Sequence, residues 1–391
     1  MATPNRWACS GSSANPDLSA ALTEALEQMH GTAPERTPQL VVAFVSPAYD
    51  VGAFARALKQ TVGDVPVIGC TTAGEITNGR ATNQGMVLWA LGGEGFQVRV
   101  GLGQGSAAGL RDAAREAAAC GSELPGGGHR ALVVLADGLC GDQMEVVRGA
   151  YEAVGSAVPL VGGCAGDDMV MGGTQQIFND QVLSNAVVVA AISSEAPIGI
   201  GVAHGWKPVG QQMLVTGSSG TSVSSLDDKP ALDVYLEALN VPEEATRSQS
   251  AFASFAATHP LGIPRRDKIE IRYIAGADFE NRSLTLIASI PQGGTTFLME
   301  GDAQSVLEAT GKACTDACGN LAGESPIAML LFDCVARRSV LASAAVEHEI
   351  QTVQDVVGDI PTAGFYTYGE IARTQGAGGF HNQTLVALAL A

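Results

Sequence analysis

Apolar residues fall in short, nearly unbroken runs, and the runs return in a fixed order. Leu40–Val45 (LVVAFV) is apolar throughout and bounded by polar residues, the pattern of a buried strand. Val51–Val62 then carries apolar residues at helical spacing, with Gly63 as a stop signal. Val65–Gly69 (VPVIG) is a short strand that runs into a Thr/Gly-rich loop ending Gly74-Glu75-Ile76. After Asn83-Gln84 come two further strands, Met86–Leu91 and Phe96–Val100. The order repeats as strand Ala131–Ala136, helix Asp142–Val154, Gly155, strand Val158–Gly162 and loop Gly163–Asp168. Asn179, Ala186–Ile192 and Ile198–Val202 complete that copy. It repeats a third time as Ile327–Phe332, a helix ending Glu349–Val357, Gly358, Ile360–Gly364 and a loop ending Gly369-Glu370-Ile371. His381-Asn382-Gln383 then leads into Thr384–Leu390.

The agreement is positional: Gly63-Asp64-Val65-Pro66 matches Gly358-Asp359-Ile360-Pro361, and Asn83-Gln84 matches Asn382-Gln383. A strand–helix–strand unit implies parallel strands with right-handed crossovers. Residues 206–326 break the plan. Met213–Thr216 and Ser222–Ser224 read as short strands, and Pro230–Leu239 and Ala303–Cys318 as helices. Lys268–Ile274 and Leu284–Ile290 read as a hairpin. The expected architecture is α/β: repeated strand-helix-strand-strand cassettes forming mixed, largely parallel sheets, with an inserted α+β second lobe.

Composition narrows the function. The chain has 391 residues, 46% apolar and 16% charged, enough for intimately packed subdomains with a large core. With 22 basic against 40 acidic residues the net charge is −18, which argues against nucleic acid and anionic membrane partners. No apolar run is long enough to cross a membrane, and the first residues lack signal-peptide architecture, so a cytoplasmic protein is expected. The eight cysteines show no CxxC spacing. Cys314 and Cys318, four apart on a helix, could share a metal, but buried small hydrophobes are the plainer reading.

Ligands of open parallel sheets bind beyond the carboxyl ends of the strands. Here that place is the loop after each proline strand. The three loops carry Thr71, Thr72, Glu75, Cys164, Asp167, Asp168, Tyr366, Tyr368 and Glu370. Glu75 and Glu370 recur between copies, so a loop-closing role competes with a ligand role. The tyrosines occur in the third copy alone, which favours them as ligand contacts. Two enzyme motifs compete. Gly162-Gly163-Cys164-Ala165-Gly166 imitates a nucleophile elbow, but no helical pattern follows it. Gly101-Leu102-Gly103-Gln104-Gly105 imitates a dinucleotide loop, with the third glycine out of place.

The segments PVIGCTTAGEI, PLVGGCAGDD, IGVAHGW, HPLG, IPTAGFYTYGEI and FHNQT together resemble the FIST sensory domain, from about residue 33 to the end. The resemblance divides the chain into an N-terminal extension (1–32), a FIST N-terminal part (33–226) and a FIST C-terminal part (227–391). It implies a non-enzymatic intracellular sensor of a small ligand, an amino acid or similar metabolite. Such a sensor would signal in trans to a histidine kinase or cyclic-di-GMP enzyme, since no effector segment is present in the sequence. Asn382, in FHNQT, joins the loop residues as a ligand candidate. One similar branch, the NosP proteins, binds haem and senses nitric oxide. For that alternative the candidate axial ligands are His381, His204 and His259. A thiol- or nicotinamide-dependent enzyme is the lesser alternative.

Overall fold

The computed structural model describes residues 5–33, 36–124, 128–239, 241–265, 269–341, 343–374 and 378–391. Residues 1–4 of the N-terminal extension and Lys268, which opens one predicted strand, lie outside them. The three cassettes build three six-stranded sheets of one plan. In the first, Leu40–Val45 and Val67–Thr71 pair in parallel. Met86–Gly92 pairs antiparallel on the other side of Leu40–Val45, and Trp7–Ser13 follows at the edge. The second sheet repeats this with His129–Ala136 parallel to Leu160–Cys164, then Ala186–Ser194 and Phe96–Gln104. The third repeats it with Ala328–Cys334 parallel to Thr362–Thr367, then Leu385–Leu390 and Ile198–Ala203.

The α/β class and the mixed sheets stand as expected. Parallel pairing, however, is confined to one pair in each of these sheets. The strand after each loop returns without a helical crossover, and only a crossover permits a parallel neighbour. Two further boundaries move. Phe96–Gln104 opens the second unit rather than closing the first, and Ile198–Ala203 opens the third. Helix Ala303–Gly319 packs on Ile198–Ala203 and on helix Ser343–Val357, so it belongs to the third unit and not to the second lobe.

Each loop also sends a hairpin into a different sheet. Glu75–Thr77 and Arg80–Thr82 extend the third sheet along Thr362–Thr367. Glu370–Arg373 and Phe380–His381 extend the second along Leu160–Cys164. Gln176–Phe178 and Gln181–Leu183 extend the first along Val67–Thr71. The exchange is cyclic, so every unit completes another. The inward faces of the three sheets meet in one core. There Phe44 meets Phe365 at a tilt, 4.7 Å between ring centroids, and Phe332 edge-on at 6.3 Å. The outward faces pack against helices. Burial on both faces is why the strands are continuous apolar runs.

The recurrent glycine of the proline strands follows from this packing. A Cβ at Gly69 would lie 2.3 Å from the Ala43 carbonyl oxygen, and one at Gly364 would lie 2.3 Å from that of Leu331. Gly63, Gly155 and Gly358 end their helices at φ of 62°, 75° and 69°, as stop glycines should.

The second lobe holds the remaining sheet, with helices Ala231–Ala238 and Gln249–Ala256 over it. Its dock on the repeats is polar and buried. Arg272 donates to the Phe380 carbonyl at 3.4 Å and the Ser289 carbonyl at 3.3 Å and pairs with Glu270 at 3.5 Å.

Candidate functional site

All three post-strand loops and the second lobe border one cleft of about 870 Å³. The first unit contributes Ala73, Asn83 and Gln84; the second contributes Leu139, Gln143, Asp168, Met169 and Met171. From the third unit come Val335, Ala336, Arg338, Tyr368 and Asn382, and from the second lobe Tyr273, Ala275 and Ile287. Of the eight loop residues expected at a ligand site and Asn382, three, Asp168, Tyr368 and Asn382, border the cleft. Thr71, Thr72, Glu75, Asp167, Tyr366 and Glu370 lie behind its wall and are buried.

The two recurrent glutamates hold loops together. Glu75 accepts from the hydroxyls of Thr72 and Thr82 and from the Gly85 N–H at 2.9 Å. Glu370 accepts from the Thr367 hydroxyl and from the Thr384 N–H at 3.1 Å. In both units the carboxylate ties the loop to the residue after a left-handed glutamine, Gln84 (φ 56°) or Gln383 (φ 51°). Burial raises both carboxyl groups, Glu370 to about 8 despite hydrogen bonds from Thr367, Cys334 and Thr384.

The third member of this set is Gln176, which pairs opposite Cys70 as Glu75 pairs opposite Phe365 and Glu370 opposite Gly163. Its Oε1 accepts from the Ala186 N–H at 3.3 Å, after the left-handed Asn185. Thr72 and Thr367 are matched in this unit by Ala165, which has no hydroxyl, and the Gln176 Nε2 is left unpartnered. Sequence comparison hides the match because ten residues separate Ala165 from Gln176, where two separate Thr72 from Glu75 and Thr367 from Glu370, an insertion of eight.

That insertion forms part of the cleft rim. Asp168, Met169 and Met171 all sit in the left-handed region, at φ of 53°, 65° and 58°, where non-glycine residues are uncommon. Asp167 stabilises the turn by accepting from the N–H groups of Met171, Gly172 and Gly173 and from the Tyr368 hydroxyl. Burial pushes its carboxyl upward, but these donors outweigh it and hold Asp167 below the usual range. Tyr368 in turn accepts from the Met169 N–H at 2.8 Å. Asp168 accepts from the Ser46 hydroxyl at 2.7 Å, and burial raises its carboxyl.

Arg338 is the cationic group of the cleft, and sequence reasoning missed it because it lies outside the repeated motifs. Its guanidinium stacks 4.4 Å from the Tyr366 ring centroid and donates to the Ala73 carbonyl at 3.0 Å and to Asn83. Tyr366 therefore supports the cleft from behind. The short helix Val335–Val340 that presents Arg338 is anchored by the adjacent Arg337. Arg337 is fully buried and bonds Asp333 at 2.6 Å and Glu349 at 2.8 Å.

The histidines lie elsewhere. His204 and His381 border a separate pocket of about 380 Å³ beside Trp206, and His259 a third of about 440 Å³. His381 Nε2 is bonded to the Ala372 carbonyl at 3.0 Å, and His259 stacks on Phe255 at 4.1 Å. His204 Nδ1 accepts from the Trp206 N–H at 3.0 Å, and burial, with Arg337 nearby, lowers it to about 4. The Cys164 thiol is fully buried and pushed well up by desolvation, so it is no activated nucleophile. Gly101 and Gly103 face helix backbone: a Cβ on either would lie 2.0 Å or 1.9 Å from the carbonyl of Ala117 or Ala113. Among the described residues no group of three or more His, Cys, Asp or Glu could hold a metal, and no helix is long and apolar enough to cross a membrane.

Comparison with known proteins places this architecture. The FIST N domain matches residues 39–229 and the FIST C domain residues 231–373. The chain belongs to the FIST family, whose domains are generally small-ligand sensors. It is similar to an uncharacterized protein of Mycobacterium tuberculosis, at 25% identity over 228 residues, or 58% of this chain and 59% of the relative. An uncharacterized protein of Mycobacterium bovis is 27% identical over 228 residues, or 58% of each chain. One from Methanocaldococcus jannaschii is 27% identical over 155 residues, or 37% of this chain and 30% of the relative. The match to the mycobacterial relatives thus spans about three fifths of their length. A crystal structure of cyanuric acid hydrolase from A. caulinodans aligns over 100% of this chain and 99% of that one. Its TM-score is 0.36 at 9% sequence identity, which carries no argument about activity.

Proposed function

We propose that this protein is a non-enzymatic sensor that binds a small zwitterionic ligand in the cleft between the repeats and the second lobe, and signals in trans to a separate effector such as a histidine kinase or cyclic-di-GMP enzyme. The observation that carries the reading is the cleft: about 870 Å³, bordered by all three repeats and the lobe, with Asp168 and Arg338 both at its wall. Its size lies within the range of small-molecule sites. A carboxylate ligand group suits Arg338, whose fork offers donors beyond those used on Ala73 and Asn83. An ammonium suits Asp168. The ligand touches both FIST parts at once, so occupancy is read out as a change in how the lobe sits on the repeats.

Thermal-shift titration of the full chain with the free amino acids and related metabolites is the test. A saturable rise in Tm for at least one of them, lost in Arg338→Ala, is the expected outcome. Flat titrations throughout would remove the reading. The haem alternative draws no support from the cleft, since His204, His259 and His381 are not among its lining residues. A Soret band in the purified protein would restore it.

A further inference from the structure

We propose that the cleft takes a short peptide carrying an apolar side chain, and that the Asn382 carboxamide reads the peptide's backbone amide. The inference rests on the ligand-binding reading of the cleft and deepens it. It begins with the amide itself. Asn382 borders the cleft and is 1% exposed, and neither its Nδ2 nor its Oδ1 has a hydrogen-bond partner. A buried polar group without a partner is destabilising, and here one side chain holds two.

The repeat provides an internal control. Asn83, at the matching place in the first unit, also borders the cleft, but its Oδ1 accepts from Arg338. The second unit has Ser184 there. The unpaired amide is therefore a property of the third copy and not of the motif. A carboxamide that keeps a donor and an acceptor side by side matches the N–H and C=O that one residue of an extended peptide turns to the same edge, which in a dipeptide are the peptide N–H and an oxygen of the terminal carboxylate. Because Asn382 is so little exposed, pairing requires its side chain to turn toward the cleft that the residue borders.

Size and polarity point the same way. A cleft of about 870 Å³ is at the upper end for small-molecule sites, and a free amino acid would leave much of it to water. Seven large apolar side chains are exposed among the described residues, and four of them, Leu139, Met169, Met171 and Ile287, border this cleft. Flexible methionines suit a side chain of variable shape. Asp168 and Arg338 receive the peptide's ammonium and carboxylate ends.

The test is calorimetric titration of the full chain with leucyl-leucine, free leucine, and leucyl-leucine methylated on the peptide nitrogen. Leucyl-leucine is expected to bind at least tenfold more tightly than either comparator. Asn382→Leu is expected to lose about tenfold in affinity for leucyl-leucine while keeping or raising Tm, because it removes two unpaired polar atoms; a role in folding alone would move Tm the other way. Asn382→Asp, which keeps the shape and loses the donor, is the second variant should Asn382→Leu fail to fold, and it too should lose affinity. Equal binding of leucine and leucyl-leucine, both lost in Arg338→Ala, would overturn the peptide reading and leave the small-ligand reading intact. Undiminished binding by both Asn382 variants would overturn the role of Asn382. If neither these probes nor any free metabolite binds, both readings fall.

Discussion

At the scale of single residues, the repeat separates scaffold from chemistry. Glu75, Glu370 and Gln176 occupy one position in three copies, and the amide in the second shows that the position needs no charge. This bears on pH. Burial raises the Glu370 carboxyl from its ordinary value of 4.5 to about 8. The folded state then holds a proton that the unfolded chain gives up, so this contribution to stability is complete below pH 4.5 and is lost as pH rises through 8. Glu370→Gln should copy Gln176. Its Tm is expected to match the wild type near pH 5 and to exceed it above pH 8, measured by thermal melts across that range. Parallel curves would show that Glu370 does not carry the titration. Arg337 is a contrasting case, since both partners are carboxylates buried with it. Arg337→Leu leaves them uncompensated and is expected to cost about 3–5 kcal/mol by urea denaturation at neutral pH. Part of that loss should return at low pH, where Asp333, whose carboxyl burial already raises, takes up a proton.

At the scale of elements, the helix stops, proline strands and loops were legible because each is written in local signals: a period, a cap, a ring-locked φ. What the chain could not reveal locally was which strands meet. Phe96–Gln104 reads equally well as the last strand of one unit or the first of the next, and pairing decides between them. The hairpin exchange is invisible for the same reason: Glu370–Arg373 follows its own proline strand yet pairs with Leu160–Cys164. Of the site, the loop residues Asp168 and Tyr368 were foreseen from topology and Asn382 from the family motif. Arg338 was not, since it lies between repeat motifs and gains meaning only when its helix reaches Tyr366. The close-approach glycines give the test at this scale. Gly364→Ala places a methyl against the Leu331 carbonyl and should destabilise by about 1–3 kcal/mol. Gly319→Ala, where a Cβ meets nothing within 4 Å, should be near neutral or slightly stabilising. Equal effects in denaturant melts would contradict the packing explanation.

At the scale of the whole molecule, the cyclic exchange makes each sheet depend on another unit. The hairpin Glu75–Thr82 lies in the third sheet, and the hairpin from Glu370 closes the second. The body should therefore unfold in one step. Trp89 reports the first sheet, and Trp206 the junction where its indole donates to the Gln383 carbonyl at 3.0 Å. Variants that keep one of these as the sole tryptophan are expected to share one denaturation midpoint; separated midpoints would mean independently folding units. The same architecture puts the cleft where every unit and the lobe converge, so a ligand there can bias the whole assembly. The central claim is that this cleft binds the signal. It is tested most directly by titrating wild type and Arg338→Ala side by side with free amino acids and leucyl-leucine in a thermal-shift assay. The account predicts a saturable rise in Tm for the wild type that the variant lacks. An equal rise in both proteins, or none in either, would contradict it.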